Sequence, residues 1–157
     1  MARQFFLLSE EAIEAIEKTL LELVTDSKAA YAQVIDRSGY LIAAQGQPTH
    51  MHPEEMGAIA AGIVSAMQVV VNLAESKEST IRFHSKNMAN FHFIWINPRV
   101  FLLVAFDNAA AESVVRAKAA RTAAAIAPHL SQDQTQPREI GSGRFIEDKI
   151  TELFQDL

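Results

Sequence analysis

The chain has 157 residues, enough for one domain with a substantial core. It contains no cysteine, which excludes a disulfide scaffold, a thiol nucleophile and a cysteine-based metal site. Its net charge of −5 argues against nucleic-acid binding, which draws on clustered Lys and Arg.

The N-terminal segment has one positive charge, Arg3, and a short apolar run, Phe5-Phe6-Leu7-Leu8. An export signal needs a longer apolar core, so a cytoplasmic protein is expected. Ser9 is a good helix N-cap, followed by Glu10 and Glu11, which suit the positive end of a helix. Ile13, Ile16, Leu20, Leu23 and Val24 then form one stripe, opposite Glu14, Glu17, Lys18 and Glu22. This spacing predicts an amphipathic helix over 9–26. Two strands follow, at 29–36 and 40–45. They are joined by Asp36-Arg37-Ser38-Gly39, a tight turn ending in the residue that tolerates positive φ.

After a loop at 46–52, His52-Pro53-Glu54-Glu55 starts a second helix, expected to run from Pro53 to Ser76. From Met56 to Ala74 it carries no charge. That run nears the length of a membrane span, but Gly57, Gly62, Ser65, Gln68 and Asn72 and the lack of flanking Lys or Arg favour a buried soluble helix. Ile59, Ile63, Met67 and Val70 recur at helical spacing and are expected to face the chain's own sheet. The rest of the circumference is uncharged too, so a second surface should cover it.

Three more strands are expected, at 79–85, 88–97 and 100–107. The first two are joined at Lys86-Asn87, which sets His84 opposite Ala89. The last two are joined at Asn97-Pro98-Arg99. The run from Val100 to Asp107 is almost wholly apolar, as a central strand covered on both faces requires. Asp107 or Asn108 is expected to cap a long Ala-rich helix over about 110–128. Residues 131–143 read as a polar linker, which ends a domain at 1–130. Residues 144–157 then form an acidic amphipathic helix with Phe145, Ile146, Ile150, Leu153 and Phe154 on one face. Such a tail docks on a partner or folds back on its own domain.

The order is α-β-β-α-β-β-β-α plus a tethered C-terminal helix. This is an α+β fold: a five-stranded antiparallel sheet with helices on both faces. The short 79–85 strand is the natural exposed edge. Two copies pairing along it, at Ile81 and Phe83, bring two central helices together at Ala60, Val64 and Val71. A homodimer is therefore expected.

This order resembles the Roadblock family of small dimeric domains. So do Val34-Ile35-Asp36-Arg37-Ser38-Gly39 turning into Leu41-Ile42, Ala61-Gly62 followed by Ser65-Ala66, and Phe106-Asp107 leading to Val114-Val115-Arg116. Within that family the chain looks most like the bacterial MglB-type proteins, homodimers that stimulate the small Ras-like GTPase MglA in cell polarity and motility. The tail, with Leu153-Phe154 near its end, resembles the C-terminal helix of those proteins. The family tends to have Ala-Gly-Asn in the central helix, where this chain has Ala61-Gly62-Ile63, and Gly before the Val-Arg pair, where it has Ser113. The resemblance implies that a GTPase sits on the paired central helices. The matching positions here are Ala58, Ala61, Gly62, Ser65 and Val69, with Gln68 and Asn72 beside them.

The chain has no P-loop and no nucleophile-elbow Ser. No catalytic residue, metal or cofactor is expected. His50 and His52 read as loop residues, and Asp36 and Asp107 as a turn former and a cap. Arg37, Arg82, Arg99, Arg116 and Arg121 are the exposed arginines expected, and none lies on the central helix. An activator using that face has no arginine finger to offer from it and must reposition the GTPase's own switch residues. The alternatives are an adaptor that leaves turnover unchanged, or a ligand pocket near His84, His92 and Trp95.

Overall fold

The computed structural model describes residues 8–47, 52, 56–63, 65–66, 78–83 and 89–131. Helix α1 (Glu10–Ser27) starts where its cap predicts: Ser9 Oγ accepts the Ala12 N–H at 3.1 Å. Ile16, Leu20 and Leu23 bury its stripe, and Lys28, at φ 59°, ends the helix in the left-handed conformation. Strands β1 (Tyr31–Asp36) and β2 (Leu41–Gly46) follow. Asp36 builds the turn between them, as its Oδ1 accepts from Ser38 N, Ser38 Oγ and Tyr40 N at 2.6 to 2.9 Å. Gly39 supplies the positive φ, +92°. Helix α2 is described at 56–63 and 65–66.

Strands β3 (Glu78–Phe83), β4 (Ala89–Asn97) and β5 (Val100–Phe106) complete one antiparallel sheet in the order β2-β1-β5-β4-β3. The apolar run of β5 is thus the central strand, buried at six of its seven positions. The β3–β4 connection differs from the expected two-residue turn. Phe83 lies opposite Ala89, which leaves five residues, 84–88, between the strands and shifts the register by one. At the β4–β5 turn, Asn97 Oδ1 accepts the Arg99 and Val100 amides at 2.8 and 2.9 Å.

Helix α3 (Glu112–Ser131) starts later than expected, and Asp107 does not cap it. Its carboxylate accepts the Ala109 N–H at 2.8 Å and folds the chain into a turn. The first helical bond runs from Val115 N to Ala111 O. Pro128 lies within the helix, which runs past it. Pro128 has no N–H to offer the carbonyl of Ala124, an exposed position where water can serve it.

The sheet divides two cores. Ile16, Leu20, Leu23, Val34, Leu102, Val104, Val115, Ile126 and Leu130 fill the side under α1 and α3. Tyr31, Ile35, Met56, Ala60, Phe93, Phe101 and Leu103 fill the side under α2. Both share β5, whose successive side chains point to opposite faces. On the α2 side the Tyr31 hydroxyl donates to Gln33 Oε1, pairing two polar groups in an apolar layer. No helix among the described residues is long and apolar enough to cross a membrane. The linker at 131–143 beyond Ser131, and the C-terminal helix with Phe145, Ile146, Ile150, Leu153 and Phe154, lie outside the described residues.

Candidate functional site: the outer face of α2

The α2 helix opens with a bond from the Met56 N–H to the His52 carbonyl at 3.0 Å, as its start signal predicts. Its inward side is Met56, Gly57, Ala60 and Ala61, all buried, with Ile63 half-buried beside them. Its outward side is Ala58, Ile59, Gly62, Ser65 and Ala66, all exposed and all uncharged. This corrects the expected division of the helix. Ile59, placed toward the sheet by its spacing, is 50% exposed. Ala60, expected at the twin, and Ala61, expected at a GTPase, are 3% and 6% exposed and pack into their own domain.

The β1–β2 turn explains the inversion. A Cβ built on Gly39 meets the Ala58 Cα at 3.3 Å and the Ala61 Cβ at 3.5 Å, and one on Gly57 meets the Gly39 carbonyl at 3.2 Å. The turn and the first helical turns are in backbone contact, so the small residues at 57 and 61 admit the chain's own hairpin. Gly39 was legible as a turn residue, but its packing role was not, because nothing local signals it.

Gly62 differs from Gly57. Nothing lies within 4 Å of where its Cβ would be. A mid-helix glycine costs about 0.5–1 kcal/mol against alanine, and no contact within the described residues offsets that cost. Gly62→Ala is therefore expected to raise the thermal midpoint by about 1–4 °C in a melt monitored by circular dichroism. A lower midpoint would mean that a second chain already packs on Gly62.

Ala58, Gly62 and Ser65 thus sit together on the exposed face. Val64, Gln68, Val69, Val71 and Asn72 lie outside the described residues. Strand β3, with Ile81 and Phe83, is an edge of the sheet, and β2 is the other. The pocket expected near His92 and Trp95 is not built, because the two residues point to opposite faces of β4. His92 is fully buried on the α1 and α3 side, 2.8 Å from the Thr80 hydroxyl. Trp95 packs edge-on to Phe101 at 5.5 Å on the other side. His84 and His50 lie outside the described residues. Among the described residues, no three His, Asp or Glu side chains are placed to hold a metal ion. A shallow groove between α1 and α3, about 220 Å³, is lined by Thr19, Glu22, Asp26, Lys118, Arg121 and Thr122. Its charges balance, and Lys118 Nζ lies 3.9 Å from Asp26 Oδ2.

No family model matches this sequence, and no curated protein matches it. Solved structures do match. The gliding protein MglB of Thermus thermophilus superposes with a TM-score of 0.72 at 20% identity, over 84% of this chain and 99% of that one. MglB of Myxococcus xanthus gives 0.71 at 21% identity, over 83% and 98%. A Roadblock/LC7 domain of Streptomyces avermitilis gives 0.61 at 14% identity, over 73% and 96%. In the order and placement of its helices and strands, this chain has the Roadblock fold in the form that MglB shows.

Proposed function

We propose that this protein is a homodimeric regulator of a small Ras-like GTPase of the MglA type in the bacterial cytoplasm, acting in cell polarity or motility. The observation that carries the reading is the outer face of α2. It is a contiguous exposed surface of Ala58, Ile59, Gly62, Ser65 and Ala66 with no charge, on a fold shared with MglB. Uncharged exposed surface of this kind marks a site of association. In this reading two copies join along β3, and the paired α2 helices present Ala58, Gly62 and Ser65 to the GTPase. The C-terminal helix makes a second contact through Phe145, Ile146, Ile150, Leu153 and Phe154.

The protein is a regulator without catalytic residues of its own. Arg37, Arg99, Arg116 and Arg121 are exposed but lie on the turns and on α3, and none is on α2 itself. Stimulation therefore comes from reordering the GTPase's switch segments rather than from an inserted arginine.

The test is GTP turnover by an MglA-type GTPase, with and without this protein. Ser65→Arg is expected to reduce stimulation at least about 10-fold, because a charge buried unpaired in an interface costs several kcal/mol. As Ser65 is exposed, its melting midpoint should stay within about 2 °C of the parent. Replacing Arg37, Arg99, Arg116 or Arg121 by Ala should leave stimulation intact. Abolished stimulation in any one of these would overturn the mechanism. Binding with unchanged turnover would make the protein an adaptor.

A further inference from the structure

We propose that protonation of His92 releases strand β3 from the sheet, so that this edge carries an acid-sensitive latch. This does not rest on the GTPase reading.

His92 lies in β4 at 0% exposure, on the face that packs under α3. Its rung of the sheet runs from Thr80 of β3 through His92 to Val104 of β5 and Ala32 of β1. Val104 and Ala32 belong to the apolar core of that side, and Ile94, next on the same face of β4, packs against it. The Thr80 hydroxyl and His92 Nδ1 lie 2.8 Å apart. The bond joins β3 to β4 through side chains, and the neutral ring can make it as donor or acceptor. An imidazolium enclosed at this depth is disfavoured against the neutral ring.

The charged residues around this position are balanced in number. On β3, the register positions either side of Thr80 on its face are Glu78 and Arg82. On α3, Lys118 and Arg121 line the groove with α1. The flank of α3 turned away from that groove carries Glu112, half-buried, and Arg116, exposed, one turn apart. His129 is half-buried in the last turn of that helix. Strand β5 brings Leu102, Val104 and Phe106 to this face, and α1 packs over β1 and β2 instead. Two acids and two bases on the flanking positions give no net sign that would favour a charged ring.

Strand β3 is held by β4 alone, whereas β4 is also held by β5. Detaching β3 therefore brings the ring to water while β4, β5 and β1 stay paired. In the open form the imidazole titrates near its ordinary value of about 6.5. In the closed form it stays neutral below that. As pH falls below about 6.5, the open form takes up a proton that the closed form does not, and the open fraction rises about 10-fold per pH unit. Above that pH the ring is neutral in both forms, and the latch holds independently of pH.

The test is residue-resolved amide hydrogen exchange on the full chain between about pH 7.5 and about pH 5, with each rate divided by its intrinsic value, for the parent, His92→Asn and His92→Phe. Asn keeps a polar atom near the place of Nδ1, Phe fills the apolar layer, and neither titrates. In the parent, protection at amides bonded between β3 and β4 is expected to fall about 10-fold per unit below about pH 6.5, while amides bonded between β1 and β5 hold theirs. Both variants should lose that slope, whichever of them is the more stable. Unchanged β3–β4 protection across this range in the parent would overturn the proposal, as would an equal slope in the variants. A fall shared by the β1–β5 amides would overturn it too, because the ring would then reach water by unfolding of the whole sheet.

Discussion

Phe101→Ala is expected to lower the unfolding free energy by about 3–5 kcal/mol in a urea titration. The ring is 1% exposed, at the middle of the sheet. It lies opposite Ile35 on β1 and Trp95 on β4, with ring centroids 5.5 Å from Trp95 and 6.2 Å from Phe93. Its neighbours Ile35, Phe93 and Trp95 are each held in a ladder on their own strand, which limits their collapse into the space. The same ring belongs to the core that seats Met56 and Ala60, so the cavity opens beneath α2. Stimulation of a partner GTPase should therefore fall further than the stability loss alone predicts, with turnover compared under conditions where the variant is still folded. Leu102→Ala, on the opposite face of the same strand, supplies the control. It should cost about 2–5 kcal/mol and leave residual activity in proportion to the folded fraction.

Gly46→Ala should cost about 2–4 kcal/mol, read from the same titration. Two effects combine there. The φ of +90° is strained for any residue with a Cβ, by roughly 1–2 kcal/mol. A Cβ at this position also runs into the Ala30 carbonyl oxygen and comes within 3.0 Å of the Tyr31 Cα. Both obstacles are backbone, so neither can turn aside. The Ala30 carbonyl also accepts the Gln47 N–H at 3.1 Å, and that bond must stretch to make room. Glycine at 46 therefore ends β2 by letting the chain turn tightly across the start of β1. A cost below about 1 kcal/mol would mean that the strand end relaxes and that the tight approach is not structural.

The elements that could be read from the sequence carried their signal locally. The α1 helix has a cap, an acidic first turn and a single stripe, and the structure places all three as expected. The β5 run could only be a central strand, and the β1–β2 turn is set by Asp36 and Gly39. The misreadings depended on contacts distant in sequence. Periodicity ranks faces by bulk, which puts Ile59 inward, and the resemblance puts Ala61 on the outward face. The close approach of Gly39 reverses that order, and it is made by a residue far from the helix in the chain. The one-residue error in the β3–β4 register had a similar source. Lys86-Asn87 satisfies a two-residue turn, but the pairing of Thr80 with His92 selects a five-residue connection. Asp107 reads as a cap because capping and turn-forming both use a carboxylate oxygen that accepts a nearby backbone N–H. Of the candidate site, Ala58, Gly62 and Ser65 follow from the resemblance, and all three are exposed. The exposure of Ile59 and Ala66 does not follow from it.

The pairing of β1 with β5 also bears on how the molecule assembles in time. The β1–β2 and β4–β5 ladders each join neighbours across a short turn and close quickly. The β1–β5 ladder joins residues roughly seventy positions apart, so its loop entropy must be met before any contact rewards it. Until that seam forms, the apolar run of β5 has one partnered edge and one open edge in a chain still emerging or refolding. The slowest step of folding and the greatest exposure to wrong pairing thus fall on the same seam.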